Sequence, residues 1–331
     1  MLAMAASRLG FDVAVLDPER SAPAHRVAAH AIVGDYDEPE ALEALASLAD
    51  VITFEFENVP ARAIEILQTL GAEVAPTGRA LAIAQDRLDE KQFLNEAGEP
   101  TVAFAEVAGP DDIVAALEKL GRPLLIKGRR GGYDGKGQAW VQQPREAPAV
   151  FSAIGAQPAI AETPADFRRE LSVIAARGRD GEIALYPLAE NHHEGGILRR
   201  TVAPAKVTPQ TMAQAERIAA TLLSALGYVG VIGIELFERD DGKLLVNEFA
   251  PRVHNTGHWT LDGCEVDQFE QHIRAIAGWP LGPTNAIARV EMTNLIGDEA
   301  NDWARLSAEP ETRLWLYGKA DVRDGRKMGH V

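Results

Sequence analysis

The chain has 331 residues, 33 Lys and Arg against 49 Asp and Glu, a net charge of −16, and 46% hydrophobic residues. That acidity excludes a broad nucleic-acid or anionic-membrane surface, which needs clustered cations, but leaves room for a small anion held by local cations. Cys264 is the single cysteine, so no disulfide can form within the chain; it reads as a small buried side chain, and a reducing cytoplasm suits such a composition.

The opening MLAMAASRLGFDVAVLD carries Arg8 within its apolar stretch and lacks a basic leader, so it reads as a helix ending near Gly10 rather than a signal peptide. No run of 18 apolar residues occurs that would cross a membrane. VAVLD (13–17) then reads as a buried strand, residues 38–50 as an amphipathic helix, VITFEFE (51–57) as a strand, 60–71 as a helix and AEVAP (72–76) as a strand. This βαβα rhythm predicts an α/β domain with a parallel sheet over residues 1–100. Such a domain ordinarily opens on a strand and a tight glycine turn, whereas this sequence starts inside the first helix, as a shortened N-terminus would.

Residues 78–98 read as one long helix, with Arg87 and Lys91 four apart on one face. From 101 to 167 comes a smaller α/β unit: a helix at 110–121, strands at 123–127 and 138–142, a glycine loop between those strands, and a strand at 158–162. Residues 168–331 form a larger unit. It holds paired strands at 168–177 and 181–190, a helix at 211–227, an antiparallel hairpin of 230–238 with 242–250, and a helix at 267–278.

Three constellations carry chemistry. GRRGGYDGKGQ (128–138) has five glycines, which let backbone amides approach a phosphate, and Lys127 precedes it at a strand end; a plain surface hairpin reads the same way, and no Walker A pattern is present. In the hairpin, Glu235 on one strand faces Asn247 and Glu248 on the other. Two carboxylates so placed either point to solvent or share a hard cation such as Mg²⁺, and the flanking Ile232, Ile234, Leu244 and Val246 favour a buried hairpin. APRVHNTGHWT (250–260) concentrates Arg252, His254, Asn255 and His258, while WLYGKADVRDGRKMGH gathers Lys319, Arg323, Arg326 and Lys327; each is either a solvated turn or an anion grip.

Together, GGYDGKGQ, NEFAPRVHNTGHW and GRKMGH resemble the ATP-grasp superfamily, and within it the N5-carboxyaminoimidazole ribonucleotide synthase family, over nearly the whole chain and in order. The resemblance implies an ATP-grasp fold: an N-terminal Rossmann-like domain, a small lid carrying the glycine loop, and a larger C-terminal domain bearing the metal hairpin. It implies a ligase that carboxylates 5-aminoimidazole ribonucleotide with bicarbonate, through carboxyphosphate, in purine biosynthesis. ATP and Mg²⁺ (or Mn²⁺) are the implied cofactors, and a cytoplasmic homodimer the implied assembly, with no nucleic-acid or membrane partner.

By motif match, Arg87 and Lys127 reach nucleotide phosphates, and Gly132, Tyr133, Asp134, Gly135, Lys136, Gly137 and Gln138 fold over them. Glu162, Thr163, Pro164 and Ala165 lie by the adenine, Glu170 by the ribose and His193 near the nucleotide; Glu235 and Glu248 hold the metal beside Asn247. Tyr133, Asp134 and Lys136 also reach the second substrate, Arg252, His254 and Asn255 surround bicarbonate, and Lys319, Arg326 and Glu55 bind the ribonucleotide. His254 and Asp134 both remain candidates for a general base. The family's first strand and its glycine turn have no counterpart here, and the family usually continues past GRKMGH. Two other readings compete: another ATP-grasp ligase, such as a formate-dependent glycinamide ribonucleotide transformylase, and a shortened, non-catalytic nucleotide-binding protein.

Overall fold

The computed structural model describes residues 1–131 and 137–331. Three sheets organise them. In the first, β1 (Ala14–Asp17) pairs in parallel with β2 (His30–Val33), flanked by helices Leu2–Arg8, Pro39–Leu48 and Ala61–Thr69. Leu42, Leu45, Ile52, Ala63 and Leu67 fill the space between. The expected strands at 51–57 and 72–76 shrink to one parallel bridge, Ile52 to Val74. The backbone beyond it is engaged elsewhere: the Gln85 amide donates to the Glu57 and Val59 carbonyls at 2.8 and 2.7 Å. No ladder therefore extends along this segment among the described residues.

The long helix expected at 78–98 is two helices, Gly78–Ala84 and Arg87–Glu96. Asp86 causes the break. Its carboxylate accepts from the Leu88 and Asp89 N–H groups, starting a new helix rather than continuing the old one.

The second sheet is antiparallel, ordered β3 (Phe104–Val107), β6 (Ala159–Glu162), β4 (Leu124–Gly128), β5 (Gln138–Val141). Helices Pro110–Leu120 and Ala147–Ala153 cover it through Ile113, Leu117, Leu124, Ile126 and Val150. Because β6 is central, its last residue, Glu162, lies beside β4, the strand that carries Lys127.

The third sheet runs β12 (Leu244–Ala250), β11 (Gly230–Glu238), β7 (Arg169–Arg177), β9 (Ala189–Glu194), β10 (Ile197–Ala203), β13 (Val290–Ile296), β15 (Lys327–His330), β14 (Trp315–Leu316), with β8 (Ile183–Leu185) on β7. The strand expected at 181–190 is split between β8 and β9. Pro187, which has no N–H for a ladder, sits in the gap. Both faces of the sheet are buried, and the period of two shows it. Leu171, Val173 and Ala175 of β7 pack with Ile232, Ile234 and Leu236 under helix Pro209–Ala225, whereas Ile174 and Ala176 face Trp259, Phe269 and Ile273. No helix among the described residues is long and apolar enough to cross a membrane.

His272, on helix Gln268–Ile276, ties the first unit to the third. The Val231 N–H donates to its Nδ1 at 3.1 Å, so Nε2 carries the proton and donates to Thr53 Oγ1 at 2.8 Å. The ring is fully buried, and burial pulls its pKa down to about 4. A histidine with a depressed folded pKa contributes its full stability above the unfolded value of 6.5 and loses it as the pH falls toward 4. The loss at the acid end amounts to about 3 kcal/mol. Urea denaturation of wild type and His272→Gln tests this: the stability gap between them narrows by about that amount from pH 7 to pH 4, and a constant gap would show that the buried ring does not resist protonation.

Candidate active site

The ends of β4, β6, β7, β9, β11 and β12 converge with helix Arg87–Glu96 on one cleft. Its floor is an alternation of charge. Glu162, buried at the end of β6, takes Lys127 Nζ at 2.6 Å and Lys91 Nζ at 3.5 Å. Lys91 is 3% exposed and also donates to the Asn247 carbonyl at 2.8 Å, so one ammonium joins the helix to both the second and third sheets. Arg87, one turn earlier, reaches Glu248 at 3.3 Å.

The acids divide into two classes. Burial opposes ionisation of Glu162, but Lys91, Lys127 and Arg87 outweigh it and hold its carboxyl below the usual range. Glu248 follows the same pattern: burial raises its pKa, and Arg87, Lys127 and Lys91 lower it further. Glu235 has weaker support, from the charge of His193 and the Asn247 amide. Burial first, then the charge of Glu248, pushes its pKa up to about 7. Glu90, which accepts the Phe249 N–H at 2.7 Å, is pushed up to about 8 by the same two causes.

Glu235 and Glu248 are directly opposed across the β11–β12 register, and a bulge follows at once. The Asn247 amide donates to Glu235 at 3.3 Å. Among the described residues no group of three or more His, Cys, Asp or Glu could hold a metal. Two facing carboxylates beside a cationic floor fit Mg²⁺ nonetheless, because that ion usually takes one or two carboxylates and completes its shell with water and phosphate oxygens.

His193 and Glu170 are ion-paired through Nδ1. Burial disfavours the imidazolium, but the hydrogen bond to Glu170 and the charge of Glu235 overcome it and raise the His193 pKa. Thr163 returns the chain from β6, its N–H donating to the Ala103 carbonyl at 2.9 Å; Pro164 and Ala165 follow in the link to β7. The Gly128 N–H donates to the Gly137 carbonyl at 3.0 Å, closing the base of the glycine loop, and Gln138 pairs in register with Lys127. Gly132, Tyr133, Asp134, Gly135 and Lys136 lie outside the described residues.

A second cleft opens between the first and third units, lined by Glu55, Arg252, Asn255, His258, Lys319 and Arg326. Arg252 pairs with Glu57 and donates to the Val253 carbonyl. Asn255 and Asn294 exchange amide hydrogen bonds at 3.0 and 2.7 Å. Glu55 meets the N-terminal amine at 3.4 Å; Lys319 donates to the Lys327 carbonyl at 2.8 Å and Arg326 to the Asp321 carbonyl at 3.0 Å. His254 lies on the Glu235 side, with Nε2 3.7 Å from that carboxylate. Burial first, then Arg252 and Lys327, holds its ring well below the usual histidine pKa and hence neutral.

Sequence reasoning passed over Glu90, Glu57, Asn294 and the reach of Lys91. Two of these had a signal: Lys91 shares the helix face of Arg87, and Glu57 shares with Glu55 the side of an alternating TFEFE run. Asn294 had none, because it lies about forty residues from its partner in an apolar strand.

A lid-like sheet, a larger sheet and a cationic cleft between them, with paired hairpin carboxylates, define the ATP-grasp class. The family model described as "ATP-grasp domain" matches residues 92–269. "Ribonucleotide synthetase preATP-grasp domain" matches 1–85, and "Phosphoribosylaminoimidazole carboxylase C-terminal domain" matches 291–331. The chain is 50% identical over 333 residues to the N5-carboxyaminoimidazole ribonucleotide synthase of Brucella melitensis, covering all of this chain and 92% of that protein. The solved structure of N5-carboxyaminoimidazole ribonucleotide synthetase from Thermus thermophilus superposes with a TM-score of 0.93 at 43% identity, covering 100% of this chain and 89% of that one. The Aspergillus clavatus enzyme, solved with ADP and 5-aminoimidazole ribonucleotide, gives 0.91 at 32% identity, covering 100% and 89%. The chain therefore belongs to the N5-carboxyaminoimidazole ribonucleotide synthase family of ATP-grasp ligases.

Replacing Glu162 by Gln leaves Lys91 and Lys127 facing each other at a buried position. The change lowers the unfolding free energy by about 3 kcal/mol, whereas Glu106→Gln, at an exposed pair with Arg129, costs less than about 1 kcal/mol. Equal effects in urea denaturation would remove Glu162 from its structural role.

Proposed function

We propose that this chain carboxylates the exocyclic amine of 5-aminoimidazole ribonucleotide, consuming ATP and bicarbonate and releasing ADP and phosphate. The observation that carries the reading is the pairing of Glu235 with Glu248 across the hairpin, beside Lys127, Arg87 and Lys91. These are the groups a metal–polyphosphate needs, set in a chain half identical to a named synthase.

Lys127 and Arg87 sit on carboxylates that triphosphate oxygens can replace, so both cations are already aimed at the site of the γ-phosphoryl. Glu235 and Glu248 would hold Mg²⁺, which would supply positive charge against the phosphate oxygens. A bicarbonate oxygen forms the new bond to the γ-phosphorus as the bond to the β–γ bridging oxygen breaks, giving carboxyphosphate and ADP. The ribonucleotide amine then forms the C–N bond, phosphate leaves, and the amine proton must be taken up. The departing phosphate can take it, because burial and the nearby cations oppose protonation of His254.

Arg252 and Asn255 line the second cleft and, with His254, suit bicarbonate. Lys319 and Arg326 supply the cationic end suited to a ribonucleotide phosphate, with Glu55 on the opposite wall. Thr163 to Ala165 fit the adenine edge at the turn from lid to large sheet, and Glu170 the ribose. Tyr133, Asp134 and Lys136 complete the reading from the loop. A cytoplasmic homodimer belongs to the same proposal.

Coupled ADP release tests it. Turnover requires 5-aminoimidazole ribonucleotide and bicarbonate together; turnover on glycinamide ribonucleotide with formate would replace this reading with that of the other ligase. Glu248→Gln lowers Mg²⁺-dependent turnover more than about tenfold, as loss of a metal ligand should. Near-normal turnover in that variant would remove Glu248 from the metal site.

A further inference from the structure

Asp86 sits in the short stretch between two matched family domains. It is 2% exposed. Its Oδ1 accepts from the Leu88 N–H at 3.1 Å, the Asp89 N–H at 3.5 Å and Arg129 Nε at 2.8 Å, and its Oδ2 accepts from Arg130 Nε at 3.1 Å. One carboxylate thus caps the helix that carries Arg87 and Lys91 and grips both arginines at the entrance of the glycine loop. A backbone bond reinforces the junction, the Arg87 N–H donating to the Arg129 carbonyl at 2.9 Å.

Capping alone does not require this arrangement. Ser, Thr or Asn caps a helix about as well as Asp, yet here a buried charge is matched by two guanidiniums. Burial opposes that charge, and the hydrogen bonds from Arg129 and the helix amides still hold the carboxyl below its usual pKa. Arg129 is further tethered to Asp89 and Glu106, each at 3.1 Å. Lys127 is two residues before Arg129, and Arg87 one residue after Asp86. The distance between the two proposed phosphate cations is therefore set through this junction.

We propose that Asp86 is a positioning residue for phosphoryl transfer: by clamping Arg129 and Arg130 to the start of helix Arg87–Glu96, it fixes Lys127 and the stem of the glycine loop relative to Arg87. The proposal rests on the nucleotide reading of the cleft. Its consequence is a penalty confined to the nucleotide. Asp86→Asn keeps a cap acceptor but loses the charge and presents an amide donor to one arginine. Arg129 retains Asp89 and Glu106, and Arg130 is largely solvated, so the variant keeps its fold.

The test combines calorimetric titration of MgADP with steady-state kinetics on wild type, Asp86→Asn, Arg129→Gln and the double variant, with thermal melting alongside. Asp86→Asn is expected to raise the MgADP Kd and the KM for ATP by roughly tenfold, the scale of a charge-assisted hydrogen bond, with the KM for bicarbonate little changed and the melting transition lowered but still cooperative and above the assay temperature. The double variant is expected to be no worse than the weaker single one, because both break the same contact. Wild type failing to bind MgADP would overturn the nucleotide reading itself. Wild type binding while Asp86→Asn binds and turns over equally well, or a penalty shared equally by both substrates, or additive losses in the double variant, would overturn the positioning role and leave the nucleotide reading standing.

Discussion

The cleft depends on one buried carboxylate. Glu162 ends the central strand of the small sheet, and two lysines from different segments converge on it. Without that charge Lys91, almost wholly buried, would keep the Asn247 carbonyl and the less direct charge of Glu248, and an ammonium that loses its direct carboxylate in such a place is costly. With it, Lys91 reaches the backbone of β12 and ties the β11–β12 hairpin to the small sheet. The placement of Lys127 and Lys91 is thus a by-product of satisfying a buried ion cluster. Moving Glu162 would move Lys127, Lys91 and the hairpin together.

The acids around this cluster sort themselves by their neighbours. Glu162 and Glu248 stay ionised because cations outweigh burial, whereas Glu235 and Glu90 retain protons to about pH 7 and 8 because burial and the charge of Glu248 outweigh what their neighbours supply. On the proposed metal reading, Glu235 is the group an incoming dication would ionise. Glu90, whose carboxyl accepts a backbone N–H behind the hairpin, gives Glu248 a less repulsive neighbour than a second carboxylate would.

Much of this was legible in the sequence where chemistry and period coincide. The hairpin could be read from its alternating apolar residues, but alternation alone pairs Glu235 with Asn247; the bulge after Glu235 makes Glu248 its register partner. The glycine loop could be placed because strands flank it. Strands 51–57 and 72–76 were over-read, since β-branched and aromatic content reports a half-buried surface and not the presence of a pairing partner; side chains from other segments engage that stretch instead. The helix break at Asp86 was hidden because apolar spacing continues across it, and only the side chain's turn onto its own helix start interrupts it. Asn255 with Asn294, and Arg252 with Glu57, are contacts between segments far apart in sequence, which no local pattern encodes.

The overall charge of −16 and the cationic cleft are compatible because each of these cations is stored on an acid. Lys127 rests on Glu162, Arg87 on Glu248 and Arg252 on Glu57. Such pairing holds the groups in place, so on the proposed reading a polyphosphate exchanges one anionic partner for another and need not immobilise long side chains from solvent. It also discriminates. An anion must outcompete a carboxylate already in place, which favours a multivalent ligand that arrives with its own dication for the displaced acids, and disfavours a monovalent one. The same local neutralisation keeps the cleft from acting as a general anion trap, while the acidic exterior repels the polyanions that the cleft is not shaped to hold.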